Sequence, residues 1–305
     1  MKHKIIIFLV LFFFQNSFSC INGETKLLKN GFYLFNDHGF EIPLGHSFFG
    51  DSKKYSKVKN QLDSLYKKTN DISYLSDIGV LLIIEKKYQE AIELYINIEK
   101  QFPNRYSTAS NLGTIYELIG NDESALFWIE KSVKINPKSH YNSEWIHINI
   151  LKAKIDNSLV NSKFLIGKDF GNELHPTSKL SKEELRKLRM ALFYQLNERI
   201  TFIKDKDKII ALLLFELGNI DFMLRNNSVI DIYNLSKKYG FENDIIDKRL
   251  IEYKSISKKS IFKNVQNSSF DNNLIYKYLN YLLIGLVTIL VILILYKVFR
   301  KKEIK

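Results

Sequence analysis

The chain predicts an all-α protein, a solenoid of helical hairpins followed by one C-terminal transmembrane helix. Three observations carry this. First, residues 72–137 hold one pattern twice: Gly113 follows Gly79, Ala125 follows Ala91 and Pro137 follows Pro103, each by 34 residues. A fixed repeat length with small residues and proline at fixed phases is the mark of a helical repeat array. Second, 305 residues with only 4 prolines and 13 glycines leave room for long helices, and 46% hydrophobic content suffices for a core. Third, Tyr278–Tyr296 is almost wholly apolar, with Asn280 and Thr288 its clear polar side chains.

At the N-terminus, residues 1–19 read as a secretory signal. Lys2 and Lys4 precede an unbroken apolar run, Ile5–Phe14, and small residues follow at Ser17 and Ser19. That run is about 15 Å long as a helix, short of a bilayer core of about 30 Å. Cys20, the single cysteine, stands directly after the small residues. It is a candidate for lipidation; the alternative is a thiol near the mature N-terminus. A lone cysteine forms no internal disulfide.

Residues 20–51 mix Phe32, Tyr33, Phe35, Phe40, Phe48 and Phe49 with Gly31, Gly39, Gly45 and Pro43. This predicts an irregular, aromatic-packed arm. Its His38 and His46 are expected to be structural rather than metal ligands. Helices begin at 52. Val58, Leu62, Leu65 and Tyr66 have helical spacing over 52–69. Two repeat units follow, 72–105 and 106–139, each a helix pair: about 72–86 with 88–101, and about 106–119 with 123–135. Pro103 and Pro137 end the units, because proline cannot continue the hydrogen-bond ladder.

The spacing of Leu75, Gly79, Ala91, Tyr95 and Pro103, repeated as Ala109, Gly113, Ala125, Ile129 and Pro137, resembles the tetratricopeptide repeat family. In that pattern glycine lets the second helix approach, alanine does so from the other side, and Tyr95 or Ile129 fills the remaining space. The first aromatic slot departs from it, being Leu75 and Ala109 here. The resemblance implies a concave groove lined by the first helices: Ser73, Ser76, Val80, Ile83 and Ile84, then Ser107, Ser110, Thr114, Glu117 and Leu118. No lysine or arginine occupies these slots, so no clamp for a terminal carboxylate is expected. The ligand fitting such a groove is a protein or peptide segment with modest apolar anchors. The alternative is a groove filled by the chain itself, for instance by the arm.

Beyond the second unit, 142–155 continues the helical region to 155 with Ile146, Ile150 and Leu151. Gly167, Gly171 and Pro176 mark 156–181 as a loop. Divergent helical repeats are expected over 182–257, with Leu214, Leu217 and Gly218 opening one unit and 230–238 closing it. A polar linker, 258–277, leads to the span at 278–298 and a tail at 299–305. The tail carries Arg300, Lys301, Lys302 and Lys305 against Glu303, which places it in the cytoplasm and the bulk of the chain outside.

The net charge is +12, but no dense basic cluster lies in the exported part, so nucleic acid is not an expected partner. No phosphate loop, G-x-S-x-G or H-E-x-x-H is present, and no cofactor is implied. The chain is therefore expected to be a non-enzymatic scaffold in the inner membrane, binding proteins on the periplasmic side. Two rivals remain. One is a metal-dependent hydrolase at His140, Glu144 and His147, which share one face if helical. The other is a structural subunit of an envelope complex.

Overall fold

The computed structural model describes residues 26–267 and 281–283. The signal at 1–19, Cys20, most of the 278–298 span and the 299–305 tail lie outside the described residues. No helix among the described residues is long and apolar enough to cross a membrane. The chain divides into two units, Met1–Ile251 and Glu252–Lys305. The first holds the arm and nearly all the helices. The second holds the later part of the last helix and the helical residues 281–283.

The described residues are mostly helical. The only strands among them are β1 (Phe35–Asn36) and β2 (Ser47–Phe48), which pair antiparallel in the arm. α1 (Ser52–Thr69) starts where the Lys54 N–H donates to the Asp51 carboxylate and ends on left-handed Asn70. It buries Tyr55, Val58 and Leu62 on one face. α2 (Ser73–Ile84) and α3 (Tyr88–Gln101) form a hairpin, as do α4 (Tyr106–Leu118) and α5 (Asp122–Ile135). The two first helices are buried on nearly all sides, whereas α3 and α5 are amphipathic.

The glycine positions explain the close approach. A Cβ on Gly79 would lie 2.4 Å from the Tyr95 ring, and one on Gly113 would lie 2.4 Å from Ile129. Tyr95 fills the slot left by Gly79. Its hydroxyl donates to the Ser76 carbonyl and accepts from the Asn111 amide, each at 2.8 Å, so one side chain ties α3 to α2 and α4.

After Pro137 comes a short turn, α6 (Ser139–Asn142), with His140, Tyr141 and Asn142 all left-handed at φ of 52°, 56° and 58°. α7 (Glu144–Ile155) follows and packs on α5. The region expected to be a loop, 156–181, contains a 3-10 turn, Asn157–Leu159, and a short helix, α8 (Ser162–Ile166), before irregular chain. Asn161 caps α8 by accepting from the Phe164 N–H, and Gly167 ends it. α9 (Lys182–Phe202) opens with a full capping box between Ser181 and Glu184. α10 (Lys208–Leu224) and α11 (Val229–Lys238) form a third hairpin. A Cβ on Gly218 would meet Tyr233 at 2.5 Å, the same device as in the first two.

α12 (Asp244–Asn267) stays helical past 257 and into the stretch expected to be a linker, of which 268–277 lie outside the described residues. No proline or glycine interrupts that stretch. The largest core gathers α7, α8, α9, α10 and α11 around Leu192, Leu196, Leu213 and Ile232.

Candidate functional site

The ten expected groove positions are not an open surface. Ser73, Ser76, Val80, Ile83, Ser107 and Ser110 are buried, and Ile84, Thr114, Glu117 and Leu118 are only partly exposed. This corrects the expectation of a free concave face. The chain itself covers it, as the self-filled alternative anticipated. Leu28, Leu34 and Phe35 of the arm share one core with Val80 and Leu81 of α2. Phe202 of α9 packs against that core and against the one containing Ile83 and Leu112. The Lys29 N–H donates to Asp77 on α2 at 2.6 Å.

The arm is held to α9 by buried polar contacts. The Gly45 N–H donates to Asn197 at 2.8 Å, and the His46 N–H donates to Thr201 at 2.9 Å. Gly45 sits at φ +84°, and a Cβ there would meet the Thr201 backbone at 2.9 Å. The His46 ring bridges two carboxylates, Asp37 at 2.5 Å and Glu198 at 2.8 Å, and Lys26 pairs with Asp37. Burial on its own lowers the imidazole's pKa. Glu198 and Asp37 outweigh that and raise it to about 9. Burial likewise pushes Asp37 up, but His46 and Lys26 bring it down to about 2. Arg189 joins the arm to α10, since it donates to the Phe40 and Glu41 carbonyls and pairs with buried Asp221.

A second buried network centres on Glu117 in α4. Its carboxylate meets His147 at 2.7 Å, Lys154 at 2.8 Å and Arg199 at 3.4 Å. Burial raises the carboxyl's pKa, yet Arg199 and Lys154, with the His147 hydrogen bond, hold it well below the usual range. A residue expected to face a ligand is thus engaged by the chain's own guanidinium. Arg199 also donates to the Gln195 side chain at 2.7 Å, and Gln195 donates to Ser143 at 3.0 Å.

His140, Glu144 and His147 do come together, but not as a zinc centre. Glu144 bonds the His140 ring and lies 3.4 Å from His147, whose other nitrogen is on Glu117. Burial raises the Glu144 carboxyl, and His140 then His147 lower it below its ordinary value. The three side chains are almost fully enclosed, while a hydrolytic metal site needs an open position for water and substrate. Among the described residues no His, Cys, Asp and Glu group is arranged to hold a metal ion. This enclosed arrangement does not favour the metal-site alternative. His140 is not on the α7 helix; the left-handed turn carries it inward to stack on Tyr194, with ring centroids 5.1 Å apart.

The accessible features lie elsewhere. Tyr141 and Trp145 are 49% and 39% exposed, beside the N-terminal half of α9. They border a surface groove of about 610 Å³ together with Arg186, Leu188 and Met190. The sequence reading missed this groove and the networks on His46 and Arg199. Their one signal was Arg189, Asn197, Glu198 and Arg199 set among apolar residues in 182–203.

No protein-family model, no curated protein and no solved structure matches this chain.

Proposed function

We propose that this protein is a tetratricopeptide-like helical-repeat scaffold, exported and anchored by the 278–298 segment. On this reading it holds other proteins at the outer face of a cytoplasmic membrane and catalyses nothing. The observation that carries the proposal is the repeated packing of glycine against a large side chain. Gly79 with Tyr95, Gly113 with Ile129 and Gly218 with Tyr233 each bring two consecutive helices into close contact. Stacked hairpins of this kind give a rigid, extended surface suited to binding.

The covered concave face changes where binding occurs. The arm and α9 act as built-in occupants, which makes the repeats a stiff platform, and partners meet the outer surface. Buried ion pairs on Glu117, His46 and Asp221 are costly to leave half-satisfied, so the occupants stay in place.

Crosslinking in intact cells, then membrane extraction and mass spectrometry, tests the reading. A stoichiometric partner recovered with the membrane fraction is expected. Recovery of a monomer alone, well folded and without crosslinked partners, would count against a scaffold.

A further inference from the structure

Two surface pockets adjoin along the exposed side of the N-terminal half of α9. The first, of about 610 Å³, presents Tyr141, Trp145 and Leu188. The second, of about 510 Å³, presents Arg186, Arg225 and Asn227. Arg186 and Met190 border both, so the two make one continuous groove.

Its ends differ in chemistry. Arg225 is exposed at one end and Arg186 where the two pockets meet; among the described residues neither guanidinium has a hydrogen bond or an ion pair within contact distance, although Arg186 lies near enough to Glu183 to interact electrostatically. Of the other charges along the groove, Lys187 pairs with Glu183 at 2.7 Å and Arg189 pairs with Asp221, while Glu41 borders the second pocket as an exposed carboxylate. At the other end, the exposed rings of Tyr141 and Trp145 line the same pocket, and Met190 borders both pockets. Tyr141 sits in a run of three left-handed residues, a conformation costing roughly 1–2 kcal/mol at a residue such as His140 or Tyr141. Strain retained at an exposed aromatic is the kind of outlier that clusters at binding sites.

We propose that this groove binds an extended segment of a partner protein with a carboxylate side chain beside a large apolar one. This deepens the scaffold reading and rests on it. The carboxylate meets Arg186 and Arg225, whose planar forks suit it. The apolar side chain lies against Tyr141 and Trp145, the residue types that anchor protein interfaces.

Trp145 is one of two tryptophans, so Trp128→Phe in the full-length protein makes it the sole reporter. The probes are a synthetic peptide of Glu, Leu and Phe and its counterpart with Lys for Glu. The expected result is a shift in Trp145 emission with the acidic peptide and none with the basic one, weakening as salt rises. Arg186→Glu with Arg225→Asn should weaken binding by roughly tenfold or more, from the loss of charge-assisted hydrogen bonds. Asn tolerates the left-handed backbone at 225, so the fold is kept, which circular dichroism checks. Unchanged binding by that double variant, or equal response to both peptides, overturns the proposal. So does a shift seen only with phosphatidylglycerol vesicles, which would assign the arginines to a lipid surface. Partners recovered equally from cells by wild type and double variant, without peptide binding, would remove the groove and leave the scaffold standing.

Discussion

Gly79 and Gly113 make the same space for different neighbours, a tyrosine in one hairpin and an isoleucine in the next. Neither neighbour can retreat far. Tyr95 is fully buried and bonded at its hydroxyl. Gly79→Ala should therefore destabilise the protein by about 1–3 kcal/mol, the usual range for overpacking, measured by urea unfolding. An unchanged midpoint would contradict the close packing. These residues were legible in the sequence because their role is local and repeats at one spacing. His46 was not, since its partners Asp37 and Glu198 depend on how the arm docks. Its titration is a second prediction. The folded pKa of about 9 exceeds the ordinary 6.5, so its contribution is complete below 6.5 and lost as pH rises through about 9. Asp37, held at about 2 against 3.8, contributes fully above 3.8 and loses this as pH falls toward about 2. The arm is held hardest between those limits. Thermal unfolding should thus drop between pH 7 and 9 in the wild type and much less in His46→Gln. A wild-type profile flat over that interval would contradict a buried imidazolium.

At the scale of elements, apolar spacing and the proline stops marked two helix pairs and a weaker third, and the structure holds hairpins at Ser73–Gln101, Tyr106–Ile135 and Lys208–Lys238. What the sequence did not disclose was the occupant of the concave face. Ser73, Ser76, Ser107 and Ser110 suggest a small, polar lining open to a ligand. They are buried: small side chains also admit a close-packed neighbour, and periodicity cannot tell the two cases apart. The same blindness to long-range contacts hid α8, whose burial depends on the α7, α9 and α10 core. Docking of the arm gives a third prediction. Gly45→Val places a branched side chain at a positive φ and against the Thr201 backbone. It should lift this part of the arm and raise amide hydrogen exchange in 34–48 and α9 well before global unfolding. Exchange unchanged from wild type would show that Gly45 is not a docking point. Asp221→Ala is a fourth. It leaves the Arg189 charge buried without its carboxylate, and a loss of about 3–5 kcal/mol is expected in the same urea assay.

At the scale of the whole molecule, the proposal joins an exported repeat platform to a membrane anchor. Hydropathy and charge near the two ends of the chain are what support that part of the proposal. Truncation after residue 277 should release the protein from membranes, as followed by fractionation. Retention of the truncated chain, abolished by Cys20→Ser, would instead assign anchoring to a lipid on Cys20. The central claim is that partners meet the outer groove while the concave face serves the chain itself. Site-specific photocrosslinking in cells tests it most directly, with the reactive side chain placed at Met190 in one variant and at partly exposed Ile84 in another. The account predicts intermolecular adducts from position 190 and only intramolecular ones from position 84. Partner adducts from position 84, with none from 190, would contradict it.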